Sequence, residues 1–143
     1  MSEQNKEIAL LFKEKKISAT SSRILIYKAI LDFEDTFSLM DIENKLDTVD
    51  KSTIFRALTL FDSYHLIHSL EDGSGSMKYC RCNNNGECKL DENHCHFFCE
   101  VCKKTFCMNH NQVPVIPIET GFIVHSVTYL IKGICPDCAK HIK

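Results

Sequence analysis

Residues 94–107 read HCHFFCEVCKKTFC, two histidines and four cysteines within fourteen positions. The spacing is H-x-H-x-x-C-x-x-C, and a second C-x-x-C follows at Cys135-Pro136-Asp137-Cys138. Thiolates are soft donors, and zinc asks only for four neighbours in a tetrahedron. A gap of two residues lets both sulfurs of one hook face the same ion. Cys99, Cys102, Cys135 and Cys138 are therefore expected to share a structural Zn2+.

Disulfides are the competing use of nine cysteines in 143 residues. They prefer an even count and an oxidising compartment. The first residues, MSEQNKE, are polar and carry no export signal, and no run of eighteen apolar residues could span a membrane. The expectation is a cytoplasmic protein without membrane contact, whose thiols stay reduced. At 44% hydrophobic and 25% charged the composition is that of a globular chain. Its length allows one ordinary domain or two small ones, and small cores often recruit a metal.

The elements that must position these ligands follow from periodicity. Ile8, Leu11 and Phe12 sit at helical spacing within residues 3–15. Thr20-Ser21-Ser22 opens a second helix running to Leu31, with Ile24, Leu25, Tyr27, Ile30 and Leu31 on its apolar side. Ser38 and Asp41 form a capping box ahead of a short third helix that should bury Met40, Ile42 and Leu46. In the fourth, from Lys51, the residues Ile54, Leu58 and Phe61 face inward, while Lys51, Ser52, Thr53 and Arg56 lie elsewhere around its N-terminal end. Alternating segments flanking Gly73-Ser74-Gly75-Ser76 predict a hairpin. Residues 82–93 read as a polar loop carrying Cys82 and Cys88, and strands are expected at 94–98, 105–108 and 122–131.

Helices followed by a hairpin make the winged-helix order, in which the helix before the hairpin reads DNA and the hairpin is the wing. Many small interaction modules share that order, and a polar helix face is often only solvated. Charge does not favour DNA: residues 1–79 hold 10 Lys and Arg against 13 Asp and Glu, a net of −3. Nucleic-acid binders are usually basic, so contact would need a local patch.

Taken together, these motifs resemble the ferric uptake regulator family of metal-dependent repressors over nearly the whole chain. Ser52-Thr53-Ile54-Phe55-Arg56-Ala57-Leu58 is similar to its recognition-helix signature, and Thr20-x-x-Arg23 to its second-helix motif. His94-x-His96-x-x-Cys99-x-x-Cys102 matches its metal signature, and Gly121-Phe122 through Gly133-x-Cys135-x-x-Cys138 its closing segment. The resemblance implies an α+β homodimer that binds double-stranded DNA at a pseudo-palindromic operator. Residues 1–79 would be the winged-helix domain, with wing and hinge at about 66–82, and residues 83–143 a zinc-binding dimerisation domain. Lys15, Lys16, Arg23, Lys51, Ser52, Thr53, Phe55 and Arg56 are the expected DNA contacts, with Thr53 and Arg56 nearest the bases.

The resemblance also implies an exchangeable sensing site between the domains, whose ligands map to Thr36, Cys80, His94, His96 and Cys107. Iron- and peroxide-responsive members have histidine at the first position and carboxylates at the second and fifth. Thr36 cannot stand in for histidine, which leaves Cys80, His94, His96 and Cys107, a two-sulfur, two-nitrogen set that suits zinc. This points to the zinc-uptake-regulator branch and a repressor of metal uptake genes; an iron- or peroxide-sensing repressor is the alternative. On residue type alone Cys82 or Cys88 could replace Cys80, and Cys107 could be a small buried hydrophobe. Cys95 points to the other strand face and reads as structural. A further family site would map to Asn93, Cys95 and Val127, a set this chain lacks, although His125 is near; His65, His68, His110 and His141 read as solvated.

An enzyme is not expected. A zinc deaminase needs histidine-x-glutamate and a proline just before its hook, and this chain has His94-Cys95-His96 with Pro136 inside the hook. Thioredoxin-like chemistry needs a hook that opens a helix after a strand, and neither is expected to do so.

Overall fold

The apolar stripes of the first four helices close on a single core in the computed structural model, which describes residues 2–81, 95–108, 114, 116–125, 127 and 129–142. Helix α1, Glu3–Glu14, begins where the Ser2 hydroxyl accepts from the Asn5 N–H at 3.2 Å. Helix α2, Ser21–Ile30, begins at Thr20, whose hydroxyl accepts from the Arg23 N–H. Helix α3, Leu39–Lys45, carries the expected capping box between Ser38 and Asp41. Each cap satisfies N–H groups that the first helical turn leaves without a partner. Helix α4, Lys51–Ser63, follows Asp50 and buries Ile54, Leu58 and Phe61 completely. The rings of Phe12, Tyr27 and Phe61 meet pairwise with centroids 5.5–5.6 Å apart.

Two three-stranded sheets follow. Strands β1 (Thr36–Ser38), β2 (Ile67–Glu71) and β3 (Met77–Arg81) pair antiparallel in the order β1-β3-β2. Gly73, at φ +86°, makes the turn of the β2–β3 hairpin, and a side chain there would also press on Lys132 Nζ. The second sheet has the order β5-β4-β6, with β4 (Cys95–Cys99) antiparallel to β5 (Thr105–Met108) and parallel to β6 (Tyr129–Gly133). A one-turn helix α5, Pro136–Ala139, ends the described fold. None of the described helices is long and apolar enough to cross a membrane.

Several details depart from the periodic reading. Ile26 is fully buried and Leu25 is 39% exposed, because α2 is wedged between α1 and α4 and its buried face is rotated by one residue. Met40 is 67% exposed: α3 spans only seven residues and turns Ile42 alone fully inward. Strand β1 was too short to leave a periodic signal, and it pairs with β3 as an added edge. Residues 122–125 lie outside any strand, and β6 starts only at Tyr129. The second hook does open a helix after a strand: Cys135 is the N-cap of α5 and Pro136, with its fixed φ, the first helical residue.

Phe61, on α4, packs against Phe12 of α1 and Tyr27 of α2 through one side chain. Phe61→Ala is expected to lower the unfolding free energy by about 3–5 kcal/mol, read from the urea midpoint at unchanged slope.

Candidate metal centres and nucleic-acid face

The turn between β4 and β5 builds the first cluster. Cys99 N–H donates to Lys104 O and Lys103 N–H to Cys99 O, both at 2.9 Å, with Lys103 in the left-handed region at φ 65°. Glu100 N–H donates to Gly133 O at 2.8 Å, which lays this turn beside the start of the second hook. A Cβ at Gly133 would lie 3.0 Å from the Phe97 ring, so a side chain there would have to displace that ring. The donor atoms of Cys99, Cys102, Cys135 and Cys138 consequently all lie within 4.8 Å of one another. The sulfurs of Cys102 and Cys135 are 3.9 Å apart; a tetrahedron with zinc–sulfur bonds of about 2.3 Å has edges of about 3.8 Å.

Electrostatics favour a cation there. Burial opposes ionisation of Cys99, but the N–H groups of Cys102, Cys135 and Val101 outweigh it and pull its pKa down to about 6. Cys138 is pushed up to about 12 by its hydrogen bond to Cys135, by burial and by its contacts with Cys99 and Cys102. Ionising all four sulfurs at such separations requires a compensating positive charge. The donor set and the spacing both fit a tetrahedral ion.

Cys80, His96 and Cys107 form the second cluster, again with donors within 4.8 Å. Cys80 lies on β3, in register with Thr36 on one side and His68 on the other. His96 and Cys107 face each other across β4 and β5. Cys80 Sγ donates to Cys107 Sγ at 3.3 Å. That bond, burial, and the charges of Cys107 and Asp35 raise the Cys80 pKa. His94, Cys82 and Cys88 lie outside the described residues, as do Asn93 and His110. Thr36 is no ligand: its hydroxyl donates to Thr105 O at 2.8 Å. Cys95 and His125 join no metal-type cluster among the described residues. His65, His125 and His141 are exposed, and His68 is half-buried rather than solvated because β2 holds it against β3.

One feature had no sequence signal. Asp72, fully buried at the end of β2, accepts from Thr105 Oγ1 and Ser74 N–H and pairs with Lys78 at 3.6 Å. Asp35 Oδ1 accepts from Cys107 N–H at 3.1 Å. Asp35, Thr36 and Asp72 thus tie the first sheet and its approach to alternate residues of β5.

On the helical side, an indentation of about 250 Å³ lies between the start of α2 and α4, lined by Thr20, Ser22, Arg23, Thr53 and Arg56. Arg23 Nη1 donates to Ser18 O and Arg56 Nε to Ser52 O. Two cations and three hydroxyls at a helix N-terminus offer the chemistry of an anion site. The hydroxyls of Ser52 and Thr53 both donate to the Asp50 carboxylate, which therefore sits below its usual pKa, first through Ser52 and then Thr53. Those two residues present oxygen acceptors rather than donors outward. Lys51 and Phe55 are exposed on α4, while Lys15 and Lys16 stand at the end of α1 and do not line the indentation.

Comparison with known proteins fits this arrangement. The model of the ferric uptake regulator family matches residues 14–122. A zinc uptake regulator solved with zinc and DNA superposes with a TM-score of 0.69 at 12% identity, covering 99% of this chain and 98% of that one. Holo XcZur gives 0.66 at 15% identity, over 95% and 96%. The Vibrio cholerae ferric uptake regulator gives 0.63 at 14%, over 89% and 98%. No curated protein matches.

Burial alone would raise the Asp72 pKa, but its bonds to Ser74, Thr105 and Lys78 lower it. A carboxyl that ionises more easily folded than unfolded adds stability above its unfolded pKa of about 3.9 and loses it as pH falls through the folded value. Asp72→Asn is expected to cost about 1.5–3 kcal/mol at pH 7 and to flatten the acid limb of stability below about pH 4, measured by thermal melts across pH.

Proposed function

The chain belongs to the ferric uptake regulator family, and from that membership we propose that it is a zinc-responsive repressor that binds operator DNA as a homodimer and controls metal uptake genes. The observation that carries the zinc reading is the Cys80–His96–Cys107 cluster, with two sulfurs among three donors. Threonine at position 36, committed to Thr105 O, removes a nitrogen ligand that would favour iron(II). His94 is the proposed fourth ligand. The structural ion belongs to Cys99, Cys102, Cys135 and Cys138.

When bound, zinc would supply positive charge there, and Cys80 on β3, in the wing and hinge at about 66–82, would hold it together with His96 and Cys107 of the sheet in residues 83–143. The residues around it decide what holding it does. Cys80 stands in the hairpin read as the wing, and Cys107 is two positions from Thr105, which holds the hairpin through Asp72. Fixing Cys80 against Cys107 therefore fixes the wing and, through the shared core, α4. A ligand shifts such an arrangement only by preferring it.

On DNA, Arg23 with Thr20 and Ser22 would seat a backbone phosphate in the indentation, with Lys15, Lys16 and Lys51 as further phosphate contacts. Arg56 and exposed Phe55 would face base edges, Phe55 through apolar contact with thymine methyls. Ser52 and Thr53, their protons given to Asp50, would accept from amino groups on the bases.

A gel shift with stripped and reloaded protein tests this reading. Removing the sensing ion, with the four-cysteine ion retained, should weaken operator binding about 5–150-fold, and zinc should restore it. His96→Ala should abolish the zinc response without loss of fold, and affinity should fall steeply with salt. Restoration by iron(II) or manganese but not by zinc would move the chain to the iron- or peroxide-sensing alternative.

A further inference from the structure

We propose that Cys80 and Cys107 are a thiol oxidation site as well as ligands, closing a disulfide with hydroperoxides when the cluster holds no ion. The two sulfurs touch at 3.3 Å although they come from different sheets and are 27 residues apart in sequence. Cys80 is the donor in that contact and is almost wholly enclosed, at 2% exposure. Cys107 is the acceptor and is half-buried, and its other side forms the wall of an open cleft of 630 Å³ shared with Phe97, Phe106 and Ile134. A small oxidant therefore reaches Cys107 first, and the sulfur that resolves the product is already against it.

The chemistry balances with one peroxide. The Cys107 sulfur attacks the distal oxygen of the hydroperoxide, whose O–O bond breaks; Cys107 becomes a sulfenic acid and the oxidant leaves as water or an alcohol. Cys80 then attacks that sulfur, the S–O bond breaks, and hydroxide leaves as water with the Cys80 proton. Two thiols lose two electrons in total and the peroxide gains them. Cys102 and Cys135, at 3.9 Å, are not an equivalent pair, because the fourfold cluster engages them with two further sulfurs.

The disulfide stands on the sulfur geometry alone. Its consequence rests on the zinc-sensing reading: a disulfide has no thiolate to offer, so oxidation and zinc exclude each other at this cluster. Zinc starvation would then expose the chain to oxidation, and an oxidised chain would ignore zinc until reduced.

The test is peptide mapping of the full-length protein after hydrogen peroxide, with and without added zinc, under non-reducing conditions. Trypsin cuts after Lys78, Arg81, Lys104 and Lys132, leaving Cys80 the only cysteine of peptide 79–81 and Cys107 the only cysteine of peptide 105–132. The expected result is these two peptides joined, minus two hydrogens, in protein stripped of the sensing ion. Cys80→Ser should instead leave a sulfenic acid on Cys107, trapped by dimedone, while Cys107→Ser should leave Cys80 unlabelled. Absence of the joined peptide, or pairing of either residue with Cys82 or Cys88, overturns the proposal. Cross-linking that proceeds equally under saturating zinc leaves the disulfide standing and sinks the zinc reading of the site.

Discussion

Strand β5 has two edges, and a strand edge buried without partners carries a cost for every unpaired N–H and C=O. One edge is satisfied by β4. The other is satisfied by residues far away in sequence: Thr105 O receives the Thr36 hydroxyl, and Cys107 N–H gives to Asp35. Backbone groups of alternate residues point to the same side of a strand, so positions 105 and 107 serve the same seam. That requirement is one of two constraints that make the helical half and the cysteine-rich sheet meet in one register. The Cys80–His96–Cys107 cluster forms where they meet, because Cys107 contributes its N–H to the seam and its sulfur to the cluster.

Buried charge sharpens the register. Asp72 is enclosed, and its carboxylate bonds to Ser74 of the hairpin turn, to Thr105 and to Lys78. A buried carboxylate is tolerated only when its partners are in place. A slip of β5 by one residue would put Phe106 where Thr105 stands and leave Asp72 with an apolar neighbour. The carboxylate thereby penalises wrong registers more than it stabilises the right one. That is a specificity device placed between the turn of the β2–β3 hairpin and β5.

Much of this was legible in the sequence because it is local. Caps at Thr20 and Ser38, the inward row Ile54–Leu58–Phe61 and the pairing of two C-x-x-C hooks each depend on neighbours within a few positions or on rigid ligand chemistry. What escaped was set by tertiary contact. Ile26 displaces Leu25 because α2 has helices on both sides, and β1 exists only because β3 offers it an edge. Asp72 left no signal, since nothing in Glu71-Asp72-Gly73 announces a partner 33 residues on. The cluster at Cys80 follows from family resemblance, and the structure brings Cys80, His96 and Cys107 together.

The acidic balance of the helical half also becomes intelligible. Asp32, Glu34, Asp35 and Asp41 gather around a separate hollow on the seam side with Lys78, Lys103 and Lys104. Arg23 and Arg56 meet on the α2–α4 face with hydroxyl residues between them. A net charge of either sign matters less to a polyanion than which face presents it, because screening at physiological salt limits each charge to about 8 Å. These four acids stand apart from the α2–α4 face on which Arg23 and Arg56 lie. Asp50, just before α4, is occupied by two hydroxyls of that helix. Its charge orients those side chains and so shapes what this end of α4 presents outward.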